Sequence, residues 1–536
     1  MTNPLLAIQS LSVAFNHSQT VVDSISFEIH PGETFALVGE SGSGKSITAL
    51  SVLRLLPNNA KLTADAINLN GENLLQRSEL DMCQVRGRRI GLVFQDPMSS
   101  LNPVMTIGAQ IAEVIQLHFD LPKAELAQQV LQLMQQVEIP EAAKRMHDYP
   151  HQLSGGQRQR VMIAMALAGQ PDLLIADEPT TSLDVTIQAQ ILALLKTIQT
   201  QTGMALWLIS HDLALVSTMA DRVAVMQKGK IVETGKTLDF FSNPQHPYTQ
   251  KLLKALPSMA SAGKTAKSTK GSPLLEVCDF KVYYPIRKGI FKRVVDYVRA
   301  VDGVSLTIQA GKTLALVGES GCGKTTLGKS LLNLIPASGG QVKINGIELA
   351  GLTGEALRLQ RANIQIVFQD PFSSMNPRML VGDIIAEGIT ALHPEITADA
   401  RKAKVTELLQ QVDLPADAAW RYPHEFSGGQ RQRICIARAL AVQPKLLVCD
   451  EPTSALDVSV QAQIIQLLKT LQQQQGLSYL FITHDLAVVA EIADEVAVMF
   501  KGKIVEYGPV QQVLQQPQQA YTQKLLAAVP VLQGKA

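Results

Sequence analysis

An internal repeat is the feature that most constrains this chain, because a repeat fixes how many domains of one kind the chain contains. The repeated segments are TFALVGESGSGKS (34–46) with TLALVGESGCGKT (313–325), LSGGQRQR (153–160) with FSGGQRQR (426–433), and DEPTTSLDV (177–185) with DEPTSALDV (450–458). The offset between copies changes by only a few residues along the 536-residue chain. The sequence therefore predicts two domains of one architecture, each about 250 residues long.

The joint between the halves is a stretch rich in Ser, Ala, Gly and Lys, a composition typical of a flexible tether. We predict a first domain over 1–257, ending in an extension at about 240–257, and then a linker over 258–273. The second domain is predicted over 274–536, with its own extension at about 514–530. The basic segment PIRKGIFKRVV at 285–295, present in the second half only, is predicted to be a solvated surface loop, with a membrane or ligand role as the alternative.

Composition excludes several classes of protein. The formal net charge is +1, from 48 basic and 47 acidic residues, which argues against a protein whose main task is gripping nucleic acid. No run of 18 apolar residues and no N-terminal signal pattern is present, so we expect a soluble, intracellular chain. The five cysteines form no C-x-x-C pair, so neither a disulfide framework nor a zinc site is expected.

The strongest chemical motif is G-x-x-x-x-G-K-[ST], which occurs at the same place in both halves. Each copy follows an apolar, strand-like run and precedes an amphipathic helical pattern, the setting in which such a loop binds phosphates. Backbone N–H groups and the helix N-terminus would face the phosphates, the lysine would reach the β and γ phosphates, and the hydroxyl would bind Mg²⁺. The predicted ATP-binding residues are Gly39, Glu40, Ser41, Gly42, Ser43, Gly44, Lys45 and Ser46, and Gly318, Glu319, Ser320, Gly321, Cys322, Gly323, Lys324 and Thr325.

A second motif places two acids at the end of an apolar strand, LLIADE at 173–178 and LLVCDE at 446–451. We predict that the first acid, Asp177 or Asp450, holds Mg²⁺. Because successive strand residues point in opposite directions, the second acid can take a different role. Glu178 and Glu451 are therefore predicted to accept a proton from the attacking water.

The segment SGGQRQR has the S-x-x-Q form of a helix capping box, so an ordinary capped helix is the competing interpretation. Two glycines at the helix start would also let a phosphate approach the N-terminus closely. The serine-to-aspartate spacing is 23 residues in both halves, and the aspartate-to-histidine spacing is 34 in both. The predicted ATP-contacting residues are Ser154, Gly155, Gly156 and Gln157, and Ser427, Gly428, Gly429 and Gln430.

Together these motifs, with Gln95 or Gln369 after an apolar run and His211 or His484 in SHD or THD, closely resemble the ATP-binding-cassette (ABC) ATPases. The resemblance covers nearly the whole chain, twice. It implies an α/β fold of two tandem phosphate-loop NTPase domains, each with a helical subdomain that carries the signature. It also implies that the glutamines sense the γ-phosphate and Mg²⁺ and couple to a transmembrane partner, and that the histidines position the γ-phosphate and water.

In this family cassettes pair head to tail, so the resemblance implies that the signature of one half closes over ATP on the other. Asp184 and Asp457 would then lie at the cassette interface. An aromatic residue that stacks on adenine is also expected in the N-terminal strands. Repeat alignment offers Phe15 and Tyr284, although aromatic residues in strands more often pack in cores.

FQDP-x-SS-[LM]-NP and the tail PQHPYTQKLLKALP at 244–257 resemble importers of the oligopeptide, dipeptide and nickel class. Fused cassettes of this class resemble the ATPase of the microcin C and peptide importers. The resemblance implies two permease subunits, an extracytoplasmic solute-binding protein and a peripheral position on the cytoplasmic face of the bacterial inner membrane. Residues 240–275 contain no cysteine, so no iron–sulfur cluster is expected. The alternatives are a sugar or cofactor importer ATPase and a fused cassette acting on ribosomes or DNA.

The two phosphate loops differ chemically at one position, where Cys322 replaces Ser43. A thiol near a helix N-terminus and a lysine is expected to have a lowered pKa. The sequence therefore predicts that Cys322 is reactive in the absence of nucleotide and that Cys449, on a buried strand, reacts slowly. The competing interpretation is a small residue that merely fits the loop.

Overall fold

The computed structural model describes residues 3–16, 19–180, 183–257, 272–288, 291, 293–349, 351–454 and 456–529. The described chain divides into two compact units, one ending at Ala255 and the other running from Leu256 to Val529. The predicted linker at 258–273 lies almost wholly outside the described residues, and the domain limits stay predictions.

The first unit contains two β-sheets that sandwich an apolar core. Its strands are β1 Leu6–Phe15, β2 Gln19–Ile29, β3 Thr34–Val38, β4 Ala60–Thr63, β5 Ala66–Leu69, β6 Glu72–Asn73, β7 Ile90–Val93, β8 Leu173–Asp177, β9 Ala205–Ser210, β10 Arg222–Gln227 and β11 Lys230–Lys236. An antiparallel sheet has the order β2-β1-β5-β6, with β4 also paired to β1. The other sheet has the order β11-β10-β3-β9-β8-β7 and is parallel except for β11.

Some helices of the first unit connect or follow the strands, and the others form a separate helical subdomain between β7 and β8. The helices of this unit are α1 Lys45–Val52, α2 Glu79–Val85, α3 Pro97–Ser100, α4 Ile107–His118, α5 Lys123–Gln136, α6 Ala142–Arg145, α7 Gly155–Leu167, α8 Val185–Thr202, α9 Leu213–Met219, α10 Thr237–Ser242 and α11 Pro247–Lys254. Short 3-10 turns cover Leu74–Gln76 and Pro150–Gln152. The continuous apolar runs TFALV and ALWLI form β3 and β9 because both faces of these strands are buried.

The second unit repeats this architecture. Its strands are β12 Pro273–Lys288, β13 Arg293–Gln309, β14 Thr313–Val317, β15 Gly339–Ile344, β16 Ile347–Glu348, β17 Ile364–Val367, β18 Leu446–Asp450, β19 Ser478–Ile482, β20 Glu495–Phe500 and β21 Lys503–Pro509. The antiparallel sheet has the order β13-β12-β15-β16, and the mostly parallel sheet has the order β17-β18-β19-β14-β20-β21. The parallel strands thus follow the same order as in the first unit.

Except for α3 and α6, which have no α-helical counterpart among the described residues, the helices of the first unit recur in the second. Those of the second unit are α12 Lys324–Leu331, α13 Gly354–Asn363, α14 Val381–Leu392, α15 Ala398–Gln411, α16 Gly428–Leu440, α17 Val458–Gln475, α18 Leu486–Ile492, α19 Val510–Gln515 and α20 Ala520–Ala527, with 3-10 turns at Ala416–Trp420 and Pro423–Glu425. Helices α14, α15 and α16 pack with α17 and the strands β18 and β19 in one apolar cluster. The predicted fold, two α/β cassettes with a helical subdomain each, is confirmed.

The basic segment at 285–295 is not the surface loop that the sequence predicts. Strand β12 continues through it to Lys288 and β13 begins at Arg293, so most of the segment forms an antiparallel hairpin. The strands of this hairpin are 16 and 17 residues long, against 10 and 11 for β1 and β2. The β-branched and aromatic residues of RVVDYVRAV favour a strand, and the charged residues among them do not interrupt it.

Among the described residues, the structure contains no helix with the length and apolar character needed to cross a lipid bilayer.

Candidate active site

The phosphate loops link β3 to α1 and β14 to α12, as predicted. Gly42 and Gly321 have φ values of 78° and 79°, in the left-handed region that favours glycine. Close approach constrains the next glycine in each loop: a Cβ on Gly44 would lie 2.8 Å from the Val21 carbonyl oxygen, and one on Gly323 would lie 2.0 Å from that of Ala300. Each loop is therefore a tight backbone cradle that side chains would disrupt.

The loop lysines are buried and hydrogen-bond to backbone carbonyl groups of their own loops. Lys45 Nζ donates to the carbonyl oxygens of Gly39 at 2.8 Å and Glu40 at 3.0 Å. Lys324 Nζ makes the same two contacts, with Gly318 at 2.7 Å and Glu319 at 3.0 Å. Each ammonium group therefore lies inside the loop, where a bound anionic phosphate would contact it.

The hydroxyl that ends each loop contacts the strand aspartate. Thr325 Oγ1 donates to Asp450 Oδ1 at 2.8 Å, and Ser46 hydrogen-bonds to Asp177. Burial raises the pKa of both aspartates above the ordinary value, against the opposing effect of these hydrogen bonds and the loop lysines. The buried Oδ1 of Asp177 has no hydrogen-bond partner among the described residues, and a carboxylate oxygen beside a hydroxyl suits Mg²⁺.

Two side chains, one glutamine and one histidine, contact each strand-end glutamate. Gln95 Nε2 donates to Glu178 Oε2 at 2.8 Å, and His211 Nδ1 lies 3.2 Å from Glu178 Oε1. Gln369 and His484 contact Glu451 in the same way, at 2.9 Å and 3.3 Å. The predicted glutamine, glutamate and histidine are therefore brought together in each unit, from the ends of three neighbouring strands.

The electrostatics of this cluster keep the second-unit glutamate ionised. Burial raises the pKa of Glu451, but the hydrogen bond and charge of His484, the charge of Lys324 and the amide of Gln369 lower it below the ordinary value overall. Burial lowers the pKa of both histidines, and their glutamate partners more than offset this, so the net shift is upward. An ionised carboxylate is the form that can accept a proton from water.

The signature segments form the capping box that the sequence indicates. Ser154 N donates to Gln157 Oε1 at 3.0 Å, and Gln157 N donates to Ser154 Oγ at 3.3 Å. Ser427 and Gln430 repeat this pair at 3.0 Å and 3.4 Å. Both interpretations of the segment remain compatible with this structure, because the serines stay exposed at the helix start.

The two glycines of each signature differ in what surrounds them. A Cβ on Gly429 would lie 2.3 Å from Val460 Cγ1, whereas one on Gly428 would lie 3.7 Å from Leu456 Cδ2. Gly156 and Gly155 differ in the same way, with closest approaches of 2.7 Å and 3.7 Å. The second glycine therefore lets the signature helix pack on the next helix, and the first leaves an open, exposed surface.

This contrast gives matched substitutions. We expect Gly429→Ala to lower the free energy of unfolding by about 1–3 kcal/mol, because the added methyl overpacks against Val460. Gly428→Ala should leave thermal stability unchanged or slightly raised, since alanine favours a helix, but should impair ATP turnover if a phosphate approaches that surface. Thermal denaturation and steady-state ATPase assays on both variants separate the two roles. Equal losses of stability in both would contradict the assignment.

The expectation of a reactive Cys322 is wrong. Cys322 is 7% exposed, and burial raises the pKa of its thiol even though Lys324 Nζ lies 3.9 Å from Sγ and opposes the rise. Cys322 belongs to the buried apolar cluster that also contains Leu327 and Leu331 of α12. The competing interpretation, a small residue that fits the loop, agrees with this structure.

We therefore expect maleimide at neutral pH to modify Cys83 and Cys278, which are exposed, before Cys322 and Cys449, which are buried. The rate at Cys322 should be roughly tenfold or more below that at Cys83, because the reacting species is the thiolate. Mass spectrometry of labelled peptides over time measures each site. Labelling of Cys322 as fast as Cys83 would contradict the burial.

The remaining predicted residues lie at defined positions. Asp184 and Asp457 cap α8 and α17, accepting N–H groups of Ile187 and Val460 at 3.0 Å.

The two aromatic candidates for adenine contact differ in exposure. Phe15 is half-buried against the core of the first unit, and Tyr284 is 41% exposed on β12. A role in adenine stacking stays a prediction for both.

Tyr521 was not among the predicted site residues, yet its Oη accepts a hydrogen bond from the N–H of Glu319 at 3.0 Å. Tyr521 begins the second copy of the repeated tail YTQKLL. The repetition indicates that such a tail belongs to each cassette. Nothing in the local sequence connects that tail to a loop 202 residues away.

Comparison with known proteins identifies the family. The family described as "ABC transporter" matches residues 22–181 and 301–454. The chain belongs to the ABC transporter family. The resemblance inferred from the motifs is thereby confirmed, and the two cassettes are ATP-binding domains of an ATP hydrolase. A further family, "Oligopeptide/dipeptide transporter, C-terminal region", matches residues 232–281 and 505–536, which include both copies of the YTQKLL tail.

Individual relatives of this ABC ATPase align over almost its whole length. "Peptidoglycan transport ATP-binding protein YejF" of Agrobacterium fabrum is 51% identical, covering 98% of this chain and 96% of the relative. "Uncharacterized ABC transporter ATP-binding protein YejF" of Escherichia coli K12 is 50% identical, covering 98% and 100%. "Glutathione import ATP-binding protein GsiA" of Escherichia coli K12 is 47% identical, covering 98% and 90%.

Proposed function

We propose that this ABC ATPase energises the uptake of peptides or related small solutes across a bacterial inner membrane. It would act at the cytoplasmic face of that membrane as a peripheral subunit, bound to two transmembrane permeases that receive solute from an extracytoplasmic binding protein. The match to the oligopeptide/dipeptide transporter C-terminal region in both halves supports the solute class. The names of two relatives, which mention peptidoglycan transport and glutathione import, support it as well.

The observation that carries the ATPase assignment is the cluster at each strand-end glutamate. Glu178 and Glu451 are proposed as the general bases for the attacking water, because each is held by a glutamine on one oxygen and a histidine on the other. Both halves carry the full set. We propose that both sites hydrolyse ATP.

The residues that surround the phosphate loop fit Mg-ATP. In the first unit, Mg²⁺ would be held by Ser46, Asp177 and the amide of Gln95. In the second unit, it would be held by Thr325, Asp450 and the amide of Gln369. The ion, when bound, neutralises phosphate charge. The lysines would exchange their backbone carbonyl contacts for phosphate oxygens. The exposed helix starts at Ser154–Gln157 and Ser427–Gln430 would add N–H donors to ATP.

Two rival functions are disfavoured by particular observations. The oligopeptide-type C-terminal region speaks against a sugar or cofactor importer. A cassette pair working on ribosomes or DNA would have no need of that region. No nucleic-acid partner and no iron–sulfur cluster are proposed.

Purification of the tagged chain from membranes tests the proposal. We expect two permeases to copurify, and we expect ATP-dependent uptake of labelled oligopeptides in proteoliposomes that contain the complex and its binding protein. Uptake of a sugar but not of any peptide would contradict the solute class. Copurification with ribosomes or DNA instead of permeases would contradict the transport function.

A further inference from the structure

The extension helix α20 contacts the phosphate loop of the second cassette. The Glu319 N–H donates to Tyr521 Oη at 3.0 Å, and Glu319 is the second residue of that loop. Tyr521 lies in the region matched by the oligopeptide/dipeptide transporter C-terminal family. This contact joins that region directly to the ATP site.

The peptide unit between Gly318 and Glu319 is held at both ends. Its carbonyl oxygen accepts Lys324 Nζ at 2.7 Å, and its N–H donates to Tyr521. Because the C=O and N–H of a trans peptide point in opposite directions, the two contacts together fix the orientation of the peptide plane. Tyr521 thus sets the direction of the carbonyl that holds the loop lysine.

The tyrosine is itself positioned by the rest of the unit. Its ring lies 4.2 Å, centroid to centroid, from the ring of Phe500 at the end of β20. The Glu506 carboxylate on β21 accepts the N–H groups of Gln518 at 2.8 Å and Gln519 at 3.2 Å, in the turn before α20. Leu525, one turn further along α20, is buried in the cluster that includes Val317, the strand residue just before the loop. The extension is therefore a braced element that can hold the loop.

We propose that Tyr521 is a positioning residue for the second ATP site, through which the C-terminal extension holds the phosphate loop in its binding conformation. This inference rests on the proposed function, since it assumes that the loop binds ATP. A loop that is ordered before ATP arrives loses less conformational entropy on binding. Removing the phenol oxygen should therefore weaken ATP binding at the second site while the chemical step stays intact.

The test compares Tyr521→Phe with the full-length wild type by two measurements. Amide hydrogen exchange without nucleotide should be about 2- to 10-fold faster in the peptide covering 318–325, the effect of losing one neutral hydrogen bond. Photolabelling with 8-azido-ATP, with labelled peptides assigned to each half, gives each site its own binding curve. The second-half midpoint should rise about 2- to 10-fold, and the first-half midpoint should not move.

Tyr507→Phe is the matched control, because it removes a phenol oxygen of the same unit that contacts Glu495 at 2.8 Å and the Thr307 carbonyl at 3.2 Å, away from the loop. It should leave both measurements unchanged. Absence of photolabel in both halves of the wild type would contradict the proposed function itself.

If the wild type binds ATP, an unchanged second-half midpoint in Tyr521→Phe would overturn the positioning role, whether or not exchange is faster. Equal shifts of both midpoints would overturn it too, because they would indicate a general loss of stability.

Discussion

Glu178→Gln and Glu451→Gln should each reduce ATP turnover at the altered site by about 10²- to 10⁴-fold, the usual effect of losing a general base. Glutamine retains the size of the side chain and one oxygen to accept from Gln95 or Gln369, so the local packing should survive. It cannot take a proton from water. ATP binding should therefore persist while hydrolysis at the altered site slows by that factor, and single-turnover ATPase assays combined with photolabelling of each half measure both.

A matched control for these variants is Glu355→Gln, which makes the same change on α13 at an exposed position paired only weakly with Arg358, at 3.9 Å. It should retain the wild-type rate. A normal rate of ATP hydrolysis and uptake in either catalytic variant would show that the two sites are not equivalent, contrary to our proposal.

Lys324→Ala should lower turnover at the second site by roughly 10²- to 10³-fold, the effect typical of removing one donor that stabilises a developing negative charge. Unlike the glutamate variants, this change should also weaken binding, because the ammonium is the cation held inside the loop. Circular dichroism should show the fold intact.

The exposed Lys402 on α15 provides the control Lys402→Ala, which should behave as wild type. Unchanged ATP binding and hydrolysis at the second site of Lys324→Ala would show that the loop is not part of the active site.

Features encoded in short stretches of sequence were predictable. The strand, the glycine loop and the following helix are adjacent in the chain, so the pattern around Lys45 or Lys324 defines them locally. The roles of Gln95 and His211 were expected from the resemblance to ABC ATPases, and the topology explains why they meet at Glu178: each of the three residues follows a parallel strand, and these strands end at one edge of the sheet. Repetition of every motif strengthened each of these predictions.

Features that depend on distant packing were not predictable in this way. The sequence around Cys322 contains a lysine and a helix start, and both favour a thiolate, but burial against the core outweighs them. The contact between Tyr521 and Glu319 joins residues far apart in the chain. The length of the β12–β13 hairpin was not predicted because its charged residues indicated a loop, although β-branched and aromatic residues, which favour strands, lie among them.

The packing of the signature glycines indicates how a cassette that no longer hydrolyses ATP could be recognised from its sequence. A cassette that loses ATPase activity during evolution still has to fold. Val460 on the neighbouring helix leaves no room for a side chain at Gly429. Such a cassette would keep this glycine long after it had ceased to turn over ATP. Gly428 lacks that steric constraint, so side chains at its position should accumulate first. Of the two glycines, the first is the one whose loss would mark a silent site.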